Sequence, residues 1–209
     1  MGIKVSKIVA LIAGITLLSM HCRKKNEPCP KEGYEYTNTT SRCWYYPDVD
    51  SIPVGGIITL EAAVPKKFVD DFSNSIVTNT SHIIEGSFGI TMLSPTYQAA
   101  VDNFEISAEV GKLIKDTINF SMGILKGFRT IQWDGNGSDS FRMKIAIKPL
   151  VKGIYDVALK QQGYKDIDCA LYKYFLKVGS NQHLHYWSDF NNGIVDDYAR
   201  NYAYCFKVY

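Results

Sequence analysis

Residues 141–148 read Phe-Arg-Met-Lys-Ile-Ala-Ile-Lys, and apolar side chains occupy every second position of this stretch. Successive side chains of a β-strand point to opposite faces of its sheet, so this pattern predicts a strand with one buried face. Similar alternation occurs at residues 58–64, 103–110 and 117–122. Four such stretches are hard to obtain from a helical protein, and they predict an all-β fold.

Five more segments are predicted to be strands, and clusters of Gly, Asn, Ser and Pro separate them. They lie at residues 82–92, 154–160, 170–178, 183–187 and 202–208. Helical periodicity is scarce and predicts only one or two short helices, at residues 66–75 and 194–203. Nine or so antiparallel strands predict an immunoglobulin-like antiparallel β-sandwich with one core, and a closed barrel is the alternative.

The first 21 residues have the composition of an export signal. Lys4 and Lys7 precede the uncharged stretch 8–20, which is too short to span the roughly 30 Å of a bilayer core. Cys22 follows at once, and a cysteine in this position resembles a bacterial lipobox, although His21 stands where a small residue is usual. We predict that Cys22 carries lipid. A plain signal peptide and a retained membrane anchor are the alternatives.

The number of cysteines agrees with a lipidated Cys22. The chain has 5 cysteines, and an odd number in an exported protein leaves one thiol to explain. The other four can form two disulfides in three pairings, of which we favour Cys29–Cys43 and Cys169–Cys205. Cys205 is expected on the more polar face of its strand, beside Lys207. Zinc is the rival use, but no C-x-x-C pair occurs and an exported compartment favours oxidation.

These features divide the chain into three parts. Residues 1–21 are predicted to be a lipoprotein-type signal peptide, residues 22–43 a polar tether with a disulfide loop, and residues 44–209 the β-sandwich domain. The chain has 23 basic and 21 acidic residues, and loss of Lys4 and Lys7 with the signal leaves a balanced mature protein. A balanced chain lacks the basic face that nucleic acid requires, so no nucleic-acid partner is expected.

Few residues are arranged for chemistry. His183 and His185 would share a face of a strand, and with Asp189 they are weak candidates for a metal site. Two half-exposed histidines on an edge strand are the simpler interpretation. The loop 134–139 spaces its oxygen side chains as calcium loops do, but Ile145 stands where a glutamate would complete an EF-hand. No nucleophile elbow is present. No cofactor and no catalytic residue are therefore expected.

Aromatic residues are the remaining signal. The chain has 14 Tyr and 3 Trp, and tyrosine offers flat, amphipathic contact area for glycans or protein partners. We predict a binding patch formed by Tyr186, Trp187, Phe190 and Tyr198. The alternative is that these residues pack the core.

The chain also resembles a known type of protein in its order of segments. A lipobox-like end and a short tether lead into Trp44-Tyr45-Tyr46-Pro47 and the stretch 50–58, and the chain closes on the strand 204–208. This layout resembles the small immunoglobulin-like lipoproteins of the Bacteroidota. The resemblance implies an envelope location and a sandwich fold, and it carries no catalytic residues. Asp50-Ser51-Ile52 and Asp116-Thr117-Ile118 are similar to the O-glycosylation signal of that phylum.

Together these observations predict a lipid-anchored cell-envelope protein with a binding or structural role. Its partners would be the membrane, through the lipid, and an envelope protein or glycan. Arg23 after the lipidated cysteine favours the outer membrane, and the lack of an acidic export stretch favours its periplasmic side. The alternative is an envelope enzyme that acts on glycans or uses a metal at His183 and His185.

Overall fold

The structure is a computed structural model that describes residues 36–80, 83–94, 97–114, 119–120, 123–124, 128–159, 161–165 and 171–209. Most of these residues lie in β-strands and only two short α-helices occur among them, which confirms the predicted all-β class. Within the same ranges, no helix is long and apolar enough to cross a membrane.

Long and short strands precede the two helices in the chain, and one strand follows them. The strands are β1 (Tyr36–Tyr46), β2 (Ser51–Ile52), β3 (Ile58–Pro65), β4 (Lys67–Val69), β5 (Ile76–Thr78), β6 (Ile83–Ser94), β7 (Gln98–Ala99), β8 (Phe104–Val110), β9 (Lys112–Ile114), β10 (Asn119–Phe120), β11 (Gly123–Ile124), β12 (Phe128–Asp134), β13 (Ser140–Pro149), β14 (Gly153–Ala158), β15 (Gln161–Lys165), β16 (Leu171–Val178) and β17 (Ala203–Val208). The helices are α1 (His185–Phe190) and α2 (Asp197–Tyr202), and a 3₁₀ turn spans Val101–Asn103.

Thirteen of the strands belong to one curled sheet. From β6 the pairing runs through β15, β16, β1, β3, β13 and β12, and β12 pairs with β6 again. The long strand β6 makes this possible, because its first half pairs with β12 and β15 while its second half pairs with β14. Beyond β14 the sheet continues through β17 to β2. The result is one continuous sheet in place of the two separate sheets that a sandwich implies.

The interior of this curl holds the main core, and the predicted alternation sets its composition. In β3, Ile58, Leu60, Ala62 and Val64 are buried while Glu61 and Ala63 are exposed. The odd-numbered positions of β13 from Phe141 to Ile147 are equally buried. In β8 only Phe104 is fully buried, and the following apolar positions are half-buried between exposed residues. The pattern therefore predicted both the strands and the direction of their side chains.

A second, smaller core lies on the other face of β6, β14 and β17. It consists of Leu93, Trp187, Ala199, Ala203 and Cys205, and α1 and α2 supply Trp187 and Ala199. Cys205 is therefore fully buried, whereas the sequence placed it on a polar face beside Lys207. The two helices cover this part of the sheet, and period-two alternation in β17 gives no sign of such a cover.

Residues 36–43, which the sequence assigned to the tether, form the first part of β1 in the main sheet. They pair in parallel with β16, from Tyr36 opposite Leu171 to Cys43 opposite Val178. This stretch is rich in threonine, a β-branched residue that favours strands, but it has few apolar side chains to show alternation. Its buried Asn38 is bonded through its backbone to Asp70 and Asp71.

Two short segments have a different secondary structure from the one predicted. Residues 183–187 were expected to be a strand, but α1 begins at His185, and the partly buried Leu184 and buried Trp187 are spaced by three as on one helical face. Residues 66–75 were expected to hold a helical turn but form β4 and the turn after it. The helix expected at residues 194–203 is confirmed as α2.

Candidate functional site

A groove opens on the outer face of the sheet where β1 and β3 separate. The two strands pair only from Cys43 opposite Ala62 to Tyr46 opposite Thr59, and the earlier part of β1 pairs with β16 alone. The groove has a volume of about 460 Å³. It is lined by Ser41, Arg42, Trp44, Tyr46, Glu61, Ala62 and Ala63. Of the two alanines, Ala62 is buried and Ala63 is exposed on this face, so only a small side chain stands beside the larger residues of β1.

Two aromatic side chains form one wall of this groove. Trp44 and Tyr46 are two residues apart on β1, so both point to the outer face, where 38% and 51% of their surface is exposed. The indole of Trp44 packs on the backbone of Gly179, where an added Cβ would lie 2.7 Å from three of the ring atoms. The Gly179 N–H also donates to the Cys43 carbonyl at 2.7 Å. Trp44 is therefore supported from behind while its ring stays accessible.

Polar groups surround the aromatic wall. Arg42 is exposed and stands beside Lys177 of β16 in the strand register, whereas Glu61 is opposite Trp44. The Ser41 hydroxyl donates to the Ala63 carbonyl at 3.0 Å and bridges the gap between the strands. The groove thus combines flat apolar surface with a guanidinium, a carboxylate and a hydroxyl.

The predicted aromatic patch is only partly at the surface. Trp187 is 6% exposed and belongs to the small core, and Tyr198 and Tyr186 pack against that core. Burial raises the pKa of Tyr198 far above its usual range. Phe190 is 36% exposed and stacks on Tyr97 at 5.9 Å between ring centroids. The alternative of core packing therefore applies to Trp187, and a binding role for the other three residues stays a prediction.

The predicted metal candidates do not share a strand face, because His183 lies in the turn before α1. Its backbone is left-handed with φ +48°, and its Nε2 is 3.4 Å from Asp48 Oδ1. His185 and Asp189 are four residues apart and lie on one face of α1. Among the residues described, no group of three or more His, Cys, Asp or Glu side chains is arranged to hold a metal ion.

The loop at residues 134–139 is organised by its own hydrogen bonds and by a lysine. Asp134 Oδ1 accepts from the Asn136 N–H at 3.0 Å, which closes the turn. The ammonium of Lys66 donates to the Gly135 carbonyl and lies 5.2 Å from the centroid of the Phe141 ring. A cationic group therefore already occupies this loop, and this arrangement disfavours calcium.

A buried carboxyl group lies beneath the two helices. Asp156 of β14 is 1% exposed and pairs in the strand register with Cys205 on one side and Thr91 on the other. Burial raises its pKa to about 8, and a hydrogen bond from the Tyr204 backbone opposes that shift. Asp156 Oδ1 and Trp187 Nε1 are both buried without a hydrogen-bond partner among the residues that the structure describes. Asp156 is not among the site residues predicted from the sequence, although an acidic residue between Tyr155 and Val157 in a predicted strand is a recognisable signal.

Several predicted residues fall outside the described part of the chain. These are Cys22, Cys29, Cys169 and the triplet 116–118. Cys43 and Cys205 are buried, and neither forms a disulfide with another residue that the structure describes. Burial raises the pKa of the Cys43 thiol to about 12 and also raises that of the Cys205 thiol. Both proposed disulfides stay predictions. In the other triplet, the Ser51 hydroxyl donates to Asp50 Oδ1 at 3.0 Å.

Comparisons with known proteins do not assign the chain to a family. No protein-family model matches the chain, and no curated protein matches it. One chain from a solved structure, described as "Structure of PbICP-C in complex with falcipain-2", matches with 13% identity and a TM-score of 0.21. That match covers 73% of this chain and 95% of the other.

Proposed function

We propose that this protein is a lipid-anchored component of the bacterial cell envelope and that its β-domain binds an acidic oligosaccharide in the groove between β1 and β3. The anchor is the lipid on Cys22, which follows the export signal directly. The observation that carries the binding role is the exposed wall of Trp44 and Tyr46 in a groove of about 460 Å³. Localisation to the periplasmic side of the outer membrane, and a non-catalytic role, are parts of the same proposal.

The choice of a glycan rests on the mixture of groups in the groove. Sugar rings have apolar faces that stack on aromatic side chains, and their hydroxyls need hydrogen-bond partners at the edges of the ring. Trp44 and Tyr46 offer the faces, while Arg42 and Glu61 offer charged hydrogen-bonding groups. A ligand with a flat aromatic ring could also stack on Trp44, but such a ligand would make no hydrogen bonds with Arg42 and Glu61.

The acidic character of the glycan follows from the charges around the groove. Arg42 and Lys177 are neighbours in the register, and Arg142 stands opposite Ala63 on β13. Lys144 is 2.8 Å from Glu109, so its charge is already matched. Glu61 is the acidic lining residue. The excess of cations favours a ligand that carries phosphate or carboxylate groups.

In this proposal the domain is grouped with immunoglobulin-like envelope domains, which bind through their surfaces. Support comes from its mostly antiparallel strands around one main core. The continuous curl of the sheet departs from that architecture. The groove does not depend on the name of the fold, since it is formed by β1 and β3 alone.

The binding role can be tested by titrating the protein with phosphorylated core oligosaccharides released from bacterial lipopolysaccharide. Trp44→Ala should weaken binding about tenfold or more, equivalent to about 1.4 kcal/mol, because it removes the stacking surface. Arg42→Ala should weaken binding of the phosphorylated oligosaccharide more than that of its dephosphorylated form. Phe190→Ala is the matched control, since it removes an exposed aromatic ring elsewhere. Equal binding by the wild type and Trp44→Ala contradicts the proposal, as does a loss confined to Phe190→Ala.

The anchor is tested separately. Mass spectrometry of the membrane-extracted protein should find diacylglycerol on Cys22, and Cys22→Ala should release the domain from the membrane fraction without unfolding it. A mature protein that begins elsewhere and is recovered without lipid contradicts this part of the proposal.

A further inference from the structure

The hairpin of β4 and β5 presents an unusual apolar tip to solvent. Phe72 in its turn is 79% exposed, the largest value for any large apolar side chain in the described ranges. Val69 and Ile76 stand opposite each other in the hairpin register and are 52% and 68% exposed. Contiguous apolar surface of this kind on a folded domain marks a contact with another apolar phase or molecule.

The turn that carries Phe72 is held in place by Asp70. One carboxylate oxygen accepts from the Asn38 N–H at 2.7 Å, and the other accepts from the Ser73 N–H at 2.8 Å and the Ser73 hydroxyl at 2.6 Å. The Asp70 backbone also bonds to Ser75 and Asn74. The backbone of the turn is therefore held by several hydrogen bonds, and it carries Phe72 with its side chain exposed.

The other face of the hairpin is fixed to the domain. Phe68 is buried, with its ring 5.4 Å from that of Tyr174 in an edge arrangement. The exposed Asp71 accepts from the Thr40 hydroxyl at 3.2 Å, which draws its carboxylate towards β1. On the flank, Lys67 is exposed beside the apolar tip. The hairpin thus has a bound side, an apolar tip and a cation at its edge.

The tip lies where the chain from the proposed anchor enters the domain. Asn38 follows the first residue of β1 by two positions, and it is bonded to both Asp70 and Asp71. Fourteen peptide steps separate Cys22 from Tyr36, so in any conformation the start of β1 is within about 50 Å of the lipid. Another exposed apolar residue, Ile57, precedes β3 and so lies at the end of that strand opposite the hairpin.

We propose that the tip formed by Val69, Phe72 and Ile76 inserts into the membrane surface beside the lipid anchor. This inference rests on the proposed lipidation of Cys22. Aromatic and aliphatic side chains partition into the boundary between headgroups and acyl chains, and a lysine at their edge contacts anionic headgroups. Insertion of the tip would add a second attachment point and orient the domain on the bilayer, which the lipid alone does not do.

The test uses the full lipidated protein reconstituted in vesicles of brominated phosphatidylcholine and phosphatidylglycerol. Bromine on the acyl chains quenches tryptophan that reaches them. Phe72→Trp should lose at least half of the emission that the new tryptophan adds in unbrominated vesicles. Ile57→Trp is the matched control, because Ile57 is similarly exposed, at 54%, but lies at the far end of β3. The emission that the tryptophan of Ile57→Trp adds should be the same in brominated and unbrominated vesicles.

The outcomes separate the tip from the anchor. An unmodified Cys22 overturns both proposals. A lipidated Cys22 with equal emission from Phe72→Trp in both vesicle types overturns the insertion of the tip alone. Ile76→Trp provides a second reporter if Phe72→Trp unfolds.

Discussion

At the scale of single residues, the pKa values of two buried carboxyl groups, Asp156 and Asp70, are shifted in opposite directions. Burial raises the pKa of Asp156 to about 8 from 3.8, whereas hydrogen bonds from Ser73, then from Asn38, lower that of Asp70 to about 2. The first group favours folding when protonated and the second when ionised. Their contributions to the free energy of unfolding therefore change with pH in opposite senses.

We predict that the wild type becomes less stable as the pH rises towards 8, because the buried Asp156 ionises, and that Asp156→Asn does not show this decrease. The folded pKa lies above the unfolded one, so the contribution of Asp156 is fully present below about pH 4 and is lost as the pH rises to about 8. The slope in this window is at most about 1.4 kcal/mol per pH unit. Asparagine stays neutral, so urea denaturation should find the variant more stable than the wild type near pH 8 and similar near pH 4. A parallel pH dependence in both proteins contradicts this assignment.

Asp70→Asn should show the opposite behaviour. The folded pKa of Asp70 is lowered, so its stabilising contribution is present above the unfolded pKa near 3.8 and is lost as the pH falls through about 2. An amide cannot accept all of the bonds from Asn38 and Ser73, and the variant should melt at a lower temperature than the wild type at neutral pH. Thermal unfolding at decreasing pH should bring the two proteins together. Asp71→Asn, in the adjacent and exposed position, is the control and should melt like the wild type.

At the scale of the elements, Trp44 of β1, which lines the groove, packs on Gly179, the residue that follows the neighbouring strand β16. We predict that Gly179→Ala destabilises the fold by about 1–3 kcal/mol, because the new Cβ would lie 2.7 Å from the indole and force it to move. The cost should shrink in the Gly179→Ala/Trp44→Ala double variant, which a double-mutant cycle measures. Additive effects of the two changes would mean that Trp44 does not rest on Gly179 in solution.

The elements also show where the sequence was informative. Strands β3 and β13 follow the alternation of apolar residues, because one face of each lies against the main core. In the early part of β1, the buried residues Asn38 and Thr39 are polar, and the Asn38 N–H donates to the Asp70 carboxylate. Hydrophobicity therefore gives no signal there. The groove could not be predicted, since it depends on where β1 leaves β3 and on Gly179, which is far away in the sequence.

At the scale of the whole molecule, the tertiary arrangement limits what the sequence could show. The aromatic residues after residue 180 were visible in the sequence, but their role depends on α1 and α2 covering the second face of the sheet. Trp187 is therefore in a core, whereas Trp44 and Tyr46 are exposed beside a groove. Aromatic content alone does not distinguish these cases. The distinction requires knowing which strands lie behind each ring.

The parallel pairing of β1 with β16 has a consequence for how the chain folds if it is exported as proposed above. The bond between the Tyr45 N–H and the Ser180 hydroxyl joins residues 135 positions apart, and the whole of β1 before Cys43 has its sheet partner in β16. A chain that crosses a membrane from its amino terminus delivers β1 first and β16 among the last. The sheet therefore cannot close until translocation is nearly complete, and such distant contacts form slowly. During that interval the edge of β1 that later pairs with β16 is open to other strands, so in the proposed envelope location chaperones should bind the chain at this edge.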